Sequence, residues 1–351
     1  MKNKVSIVLA LCISIALFNG CTKEKPIVTD KQPIVSSEET EPVKPAATVP
    51  EETSDEVSKF YSPFTGEEVD EDTFNNIPFF AIVENSKEAR PQSGLKEADI
   101  VYETMAEGGI PRTIALFQKN SPEKIGPIRS ARACFLGISR EYNFPLAHCG
   151  ASYEAEDMIK TGKFMSLNEF AYGGFYWREK DRKAPHNLYT SSEKIRSAVV
   201  SRKYNKTTKV KLNFDKDFWE NESLPAANTI ALNLSKYYNT DYNYKDGKYY
   251  KNMNGKPSFN KEDEAPLAIT NIVIQATSIK KKQESILMDI ALIGKGTGYV
   301  ISNGKYIKMN WSKKDASSQT ILKDENGKVI PLNPGNTWWN IVDTKSGIEI
   351  N

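Results

Sequence analysis

The chain has 351 residues, of which 39% are hydrophobic, 10% aromatic and 26% charged, and this composition excludes collagen-like, coiled-coil and wholly disordered proteins. Lys and Arg number 47 against 45 Asp and Glu, so no basic excess indicates a nucleic acid partner. Two histidines and four cysteines are too few for a metal site rich in these ligands, and we expect neither a metal nor another cofactor.

The first 21 residues have the pattern of a lipoprotein signal peptide. Two lysines precede an apolar run from Val5 to Phe18, which is shorter than the ~20 residues needed to span a bilayer. The run ends in LFNGC, which resembles a bacterial lipobox, so we expect cleavage before Cys21 and diacylation of its thiol. Two acyl chains attach a protein stably to a lipid bilayer, whereas one does so only marginally. The predicted location is the outer face of the cell membrane; an uncleaved anchor and a plain secretory signal are the alternatives.

Residues 22–59 have the composition of a disordered, acidic tether. They contain five prolines and no aromatic residue, with nine acidic residues against five lysines. Such a segment cannot bury enough apolar surface to offset the entropy lost on ordering. The predicted folded body, residues 60–351, carries 40 basic and 36 acidic residues.

Residues 60–205 alternate between strand-like and helix-like segments. The expected strands are Pro78–Val83, Asp99–Glu103 and Thr113–Phe117. The expected helices begin at Pro127, Ser152 and Ser191 and extend through residues 138, 159 and 204. We therefore predict an α+β fold, with a mixed sheet and packed helices in this N-terminal part.

Residues 206–351 are predicted to form a β-rich, hairpin-containing C-terminal part. The expected strands are 209–214, 229–234, 271–276 and 337–342. Asp246-Gly247, Asn303-Gly304 and Asn326-Gly327 supply the left-handed residues that tight hairpin turns need, and Asn333-Pro-Gly335 indicates a further turn.

Several motifs resemble those of the YerB-like lipoprotein family of Gram-positive bacteria: Ser62–Gly66, Arg90–Gly94, Ala98–Glu103, Glu107–Gly109, Gly126–Arg132, Ala184–Tyr189, Gly296–Gly298, Trp311–Lys313 and Pro334–Trp338. The resemblance covers nearly all of residues 60–351. It implies a two-part α+β lipoprotein outside the cytoplasm, and it implies no particular activity.

Arg129 and Arg132 form a candidate anion site. If a helix begins at Pro127, these arginines, with Leu136 and Arg140, lie apart from its apolar face. Guanidinium groups bind phosphate or carboxylate oxygens in pairs, and a helix N-terminus adds positive charge. The alternative is a structural network with Glu103, Glu107 or other carboxylates.

The two histidines, His148 and His186, are further candidates. His186 follows Arg182 in a polar loop, so both could join the anion site. His148 lies four residues before Ser152, and the two could form the Ser/His pair of a hydrolase. The sequence contains no Gly-x-Ser-x-Gly motif to support that interpretation. A zinc site from His148, Cys149 and His186 lacks a recognised ligand spacing.

Cys134 and Cys149 form a candidate disulfide, because the predicted compartment is oxidising. Two buried free thiols are the equal alternative.

Two further motifs have structural and functional interpretations. The glycines at 294–298 precede a strand-like segment, so they favour a β-bulge or close strand packing over a dinucleotide loop. Trp338 and Trp339 alternate on a strand, so one could face outward and stack on a sugar; burial of both is the favoured alternative.

The sequence thus predicts a lipid-anchored protein that binds an anionic polymer of the cell envelope through Arg129, Arg132, Arg182, His148 and His186. A hydrolase or transferase acting on phosphorylated envelope polymers and a protein–protein adaptor are the alternatives. Binding is favoured over catalysis, since no catalytic motif is complete.

Overall fold

The computed structural model describes residues 59–351. The predicted signal peptide, Cys21 and residues 22–58 of the predicted tether lie outside this range. Within residues 59–351, no helix is both long and apolar enough to cross a membrane.

The first part of the described chain contains short helices and nine strands. The helices are α1 Glu71–Phe74, α2 Ala133–Tyr142, α3 Tyr153–Lys160, α4 Glu169–Tyr172 and α5 Ser192–Ser201. The strands are β1 Phe60–Tyr61, β2 Glu68–Val69, β3 Phe79–Glu84, β4 Ile100–Glu107, β5 Ile110–Phe117, β6 Leu146–His148, β7 Ser166–Asn168, β8 Trp177–Arg178 and β9 Leu188–Tyr189.

The second part consists of strands, with a single 3₁₀ turn at Asp217–Glu220 among its described residues. The strands are β10 Thr229–Ser235, β11 Tyr238–Lys245, β12 Lys248–Met253, β13 Lys256–Pro257, β14 Ala268–Ile269, β15 Asn271–Thr277, β16 Ile279–Lys281, β17 Met288–Ile290, β18 Gly294–Ser302, β19 Lys305–Lys313, β20 Ile321–Lys323, β21 Thr337–Asp343 and β22 Ile348–Ile350.

The largest sheet has ten strands in the order β20-β19-β18-β15-β21-β4-β5-β3-β6-β7. It is mixed, as predicted. β21 runs parallel to both neighbours, β15 and β4, and β3, β6 and β7 are mutually parallel, while the other pairs are antiparallel. Strands of both parts therefore share one sheet. The predicted boundary near residue 205 stays a prediction.

Side chains alternate between two hydrophobic clusters on opposite faces of this sheet. On β3, Phe79, Ala81 and Val83 belong to a cluster that includes α5 and the six-stranded sheet built around β10, β11 and β12. Phe80 and Ile82 belong to a second cluster that includes α2. Because both faces are covered, β3 and β15 are buried along their whole length and β4 along all but its last residue, with no alternation between buried and exposed positions.

The predicted helices at Ser152 and Ser191 are confirmed, with each serine capping its helix through its side-chain oxygen. The predicted helix start at Pro127 is wrong: α2 begins at Ala133, and Arg132 is its N-cap. Residues 128–132 instead run extended, because Ile128 bridges Val83 and Ala131 bridges Ala151. The apolar spacing at 128 and 131 reflects this pairing and not a helical face.

The strands predicted at 229–234, 271–276 and 337–342 are confirmed as β10, β15 and β21. The strand predicted at 209–214 is wrong: only Phe214 forms a bridge, to Leu332. Asp246-Gly247 joins β11 to β12 and Asn303-Gly304 joins β18 to β19, and all four residues have positive φ. Asn326-Gly327 also forms a turn, closed by a single bridge between Lys323 and Val329.

Candidate functional site

Arg129 lies in the extended segment before α2, at the end of β3. Its backbone N–H donates to the carbonyl of Ile82, and its own carbonyl accepts from Cys149, so the main chain is fixed on both sides. The side chain is 27% exposed, and its Nε lies 3.4 Å from Glu84 Oε1. Nε makes no hydrogen bond at this distance and is buried without a partner, and neither terminal amino group donates a hydrogen bond within the described chain. Arg129 therefore has donors available to a ligand.

Glu84 is buried, and three side chains surround its carboxylate. Ser86 Oγ donates to Oε1 at 3.1 Å, and Arg129 faces the same oxygen. His186 Nδ1 lies 3.0 Å from Oε2. Because a carboxylate can only accept, Nδ1 carries the hydrogen of this contact, and Nε2 is the acceptor whenever the ring is neutral. Glu84 thus positions Arg129 and His186 together.

A groove of about 360 Å³ opens beside Arg129. Its lining includes Arg129, Ser130, Gly150, Glu156, Phe170 and Arg178. The groove contains donors, acceptors and an aromatic ring.

Arg178 is the second guanidinium group of the groove. Its side chain is 43% exposed. Nη1 donates to Asn187 Oδ1 at 3.0 Å, and Nη2 lies 3.8 Å from Glu169 Oε1, too far for a hydrogen bond. Asn187 is itself fixed by donating to the carbonyl of Glu179. Arg178 is therefore held in place by one nitrogen while Nη2 makes only a long ionic contact.

Arg132 is not part of the groove, contrary to its predicted place beside Arg129. Its Nε donates to Glu107 Oε2 at 2.6 Å, and Nη2 contacts the same oxygen. Arg112 pairs with the other oxygen of Glu107 and is almost wholly buried. Burial alone would raise the pKa of Glu107, but the charges and hydrogen bonds of Arg112 and Arg132 lower it. For Arg132 the structural network considered as the alternative is the one present.

Arg182 also lies outside the groove lining. Its two terminal amino groups donate to the main-chain carbonyls of Ala89 and Pro91. The side chain therefore holds the loop after β3, and its prediction as a ligand contact finds no support in this geometry.

His148 is fully buried and has two protein partners. Nδ1 donates to the carbonyl of Gly150 at 2.8 Å, so Nε2 accepts from Ser166 Oγ at 2.7 Å. Burial lowers the pKa of His148 to about 4. Ser152, the partner considered for a hydrolase pair, instead caps α3 by accepting from the N–H of Ala155. His148 and Ser152 therefore do not pair in the structure, and both ring nitrogens of His148 already have protein partners.

Cys134 and Cys149 are free thiols in the structure, so the candidate disulfide is not formed there. Burial raises the pKa of Cys134 to about 12. Burial and the neighbouring Glu169 raise the pKa of Cys149 to about 11. Both thiols are therefore protonated at neutral pH and are poor nucleophiles. Among the residues that the structure describes, no group of three or more His, Cys, Asp or Glu side chains is arranged to hold a metal.

Trp338 and Trp339 are both 3% exposed, so neither is a platform for a sugar ring. Their indole N–H groups donate to Glu103 and Gln275. The glycines of β18 do serve close packing, since a Cβ on Gly298 would lie 1.8 Å from the carbonyl oxygen of Ile274.

Sequence reasoning missed Phe170, Arg178 and Glu156. The available signal was the unusually aromatic stretch Phe170–Trp177, FAYGGFYW, followed directly by Arg178. Polar and charged side chains beside surface aromatics are typical of ligand sites.

The described residues form a strand-rich α+β body with one large mixed sheet. Residues 64–205 match the model for "Protein of unknown function (DUF3048) N-terminal domain", and residues 228–339 match the corresponding C-terminal domain. The chain is 32% identical over 298 residues to "Putative lipoprotein YerB" of Bacillus subtilis (strain 168), covering 82% of this chain and 88% of that protein. It also resembles the crystal structure of YerB from Bacillus subtilis, with a TM-score of 0.74, 30% identity and coverage of 83% of this chain and 100% of that one. The chain belongs to the YerB family, as the motif resemblance predicts.

Proposed function

We propose that this protein is anchored through lipidated Cys21 at the outer face of the cell membrane and binds an anionic envelope polymer in the groove of Arg129 and Arg178. The lipobox-like sequence and the similarity to a protein named as a lipoprotein support the anchor.

The observation that carries the binding proposal is the pair of guanidinium groups at one groove. Arg178 is held by Asn187 through Nη1, and Arg129 makes an ionic contact with Glu84 at 3.4 Å without a hydrogen bond, so both have N–H donors without a hydrogen-bonded partner in the described chain. Guanidinium groups match phosphate and carboxylate oxygens in a fork geometry. Arg132 and Arg182, whose terminal amino groups already donate to protein acceptors, drop out of the predicted set.

Binding is tested with poly(glycerol phosphate) and the full-length protein in detergent. Arg129→Ala and Arg178→Ala are each expected to weaken binding about tenfold, and the parent's affinity is expected to fall as salt rises. Arg202→Ala is the matched control, because Arg202 is exposed at the end of α5 and stacks only on tyrosines. Equal binding by the parent and both groove variants would overturn the proposal.

The anchor is tested separately by Cys21→Ala and fractionation of cells. The variant is expected to leave the membrane fraction. A variant that stays as firmly membrane-bound as the parent would show that the apolar run itself is the anchor.

A second candidate, hydrolysis of the bound polymer, is favoured by the His186–Glu84 pair beside Arg129. A carboxylate that holds Nδ1–H leaves Nε2 ready to accept a proton from water. Incubation with poly(glycerol phosphate) tests this: release of glycerol phosphate that is lost in His186→Ala supports catalysis, and no release by the parent excludes it for this polymer.

A further inference from the structure

We infer that the unit recognised in the groove is an acidic sugar, with its ring against Phe170 and its phosphate or carboxylate at Arg129 and Arg178. This inference rests on the proposed function and adds the substrate class.

Phe170 is the first observation. The side chain is 75% exposed although it lines the groove, which leaves a large apolar ring in water. A single exposed apolar residue is ordinary on a protein surface. Here, however, the ring lies among the polar and charged side chains that line the groove. In such a position an aromatic face can stack on the apolar face of a bound ring.

The backbone that carries Phe170 is held in place by a hydrogen bond to Asn168. Asn168 Oδ1 accepts from the N–H of Phe170 at 3.3 Å and from the N–H of Gly150 at 2.8 Å, so one side chain ties α4 to the wall of the groove. Gly150 permits the ring to lie close, because a Cβ there would lie 3.3 Å from Phe170 Cε2. The backbone at Phe170 therefore needs no ligand to hold it beside the groove.

The charges of the groove are the second observation. Glu156 lines it together with the two arginines, and Glu169 Oε1 lies 3.8 Å from Nη2 of Arg178. A bare phosphate dianion has no hydrogen-bond donor to offer these carboxylates. A sugar bearing an acidic group uses both signs, because its hydroxyl groups donate to carboxylates while its acidic group accepts from guanidinium. The groove volume of about 360 Å³ lies at the small end of ligand sites.

Calorimetry on the full-length protein in detergent tests the inference with four probes. N-acetylglucosamine 1-phosphate and N-acetylmuramic acid carry a ring with a phosphate or a carboxylate, glycerol 1-phosphate carries the acid without the ring, and N-acetylglucosamine carries the ring without the acid. We expect at least one acidic sugar to bind about tenfold more tightly than either single-feature probe, and its identity distinguishes phosphate from carboxylate.

The variants separate the two proposals. Phe170→Ala is expected to weaken acidic-sugar binding about five- to tenfold and to leave glycerol 1-phosphate binding unchanged. Phe170→Trp should retain the preference and Phe170→Leu should lose it, which guards against a folding defect in the alanine variant. Tyr237→Ala is the control, since Tyr237 is 66% exposed and lies between β10 and β11, away from the groove.

Two results overturn the sugar inference while leaving the proposed function standing: equal affinity of the parent for acidic sugars and glycerol 1-phosphate, or an unchanged sugar preference in both Phe170→Ala and Phe170→Leu. A different result would overturn the proposed function itself: Arg129→Ala and Arg178→Ala would bind every acidic probe as tightly as the parent does.

Discussion

At the scale of single residues, the partners of a guanidinium group decide what it can do. Arg132 and Arg112 share the carboxylate of Glu107, and their charges neutralise a half-buried acid. Arg129 contacts Glu84 through one nitrogen, while Ser86 and His186 also serve that carboxylate. The first arrangement consumes its donors and the second leaves them available.

We therefore predict different stability effects for the two arginines. Arg132→Ala should lower the free energy of unfolding by about 1–3 kcal/mol, because it removes charge-assisted hydrogen bonds while Arg112 still pairs with Glu107. Arg129→Ala should change it by less than about 1 kcal/mol, since Glu84 keeps two other partners. Urea unfolding of both variants measures the difference. A larger loss for Arg129 would mean that its contact with Glu84 is structural.

His148 predicts a pH dependence of stability. Its pKa is about 4 in the folded protein against about 6.5 when unfolded, so the unfolded chain binds more protons between these values. Its contribution, about 3 kcal/mol, is present above pH 6.5 and is lost as the pH falls to 4. The buried carboxyl of Asp99, whose pKa burial raises to about 7, acts in the opposite direction.

The measurement is the difference in unfolding free energy between the parent and His148→Gln from pH 4 to 8, in which the contribution of Asp99 cancels. The parent's advantage is expected to shrink on acidification. A difference that is independent of pH would contradict the buried, neutral histidine.

At the scale of elements, β18 shows how a close approach selects glycine. Gly298 pairs with Gln275 of β15, and its Cα faces the carbonyl of Ile274 with no room for a side chain. Gly298→Ala should therefore destabilise the protein by about 3 kcal/mol or more, because the central sheet must shift.

Gly174→Ala is the matched control for this substitution. Gly174 has no positive φ, and a Cβ there meets nothing within 4 Å. The midpoint of thermal unfolding of Gly174→Ala should stay near that of the parent. Equal midpoints for the two alanine variants would show that β15 and β18 can separate without cost.

At the scale of the whole molecule, a buried ion pair crosses between the two parts of the chain. Lys251 on β12 lies 3.1 Å from Glu103 on β4, and both side chains are almost fully inaccessible. Asn85 and Trp338 also donate to Glu103. Lys251 donates to Thr240 as well, so the pair's polar atoms are satisfied. The two sheets are thus joined by a polar link inside the core.

Lys251→Met should cost about 3–5 kcal/mol of unfolding free energy, because it leaves the Glu103 carboxylate buried without its cation. Adding Glu103→Gln should recover part of this loss, since the amide carries no charge, although its NH2 meets one of the two donors that Asn85 and Trp338 direct at the carboxylate. Lys245→Met is the control, as Lys245 is exposed at the end of β11. Guanidinium chloride unfolding measures the free energy of unfolding of the parent, Lys251→Met, the double variant and Lys245→Met. A double variant as unstable as Lys251→Met would show that the pair contributes by geometry rather than charge.

Local sequence determined those features that depend on neighbours along the chain. Apolar runs predicted β3, β10, β15 and β21, and serine caps predicted α3 and α5. These signals are reliable because a strand's burial, a helix cap and a two-residue turn are each written within a few residues. The signal-like segment that ends at Cys21 is likewise predicted from adjacent residues.

Only the tertiary structure decided the composition of the groove. The sequence places Arg129 and Arg132 one helical turn apart, but Ile128 pairs with Val83 of β3 and Ala131 with Ala151, and these bridges prevent the helix that would align the arginines. Arg129 then meets Glu84, 45 positions earlier, and shares a groove with Phe170 and Arg178 from later in the chain. Contacts between residues so far apart depend on how the sheet is assembled, and no local pattern encodes them.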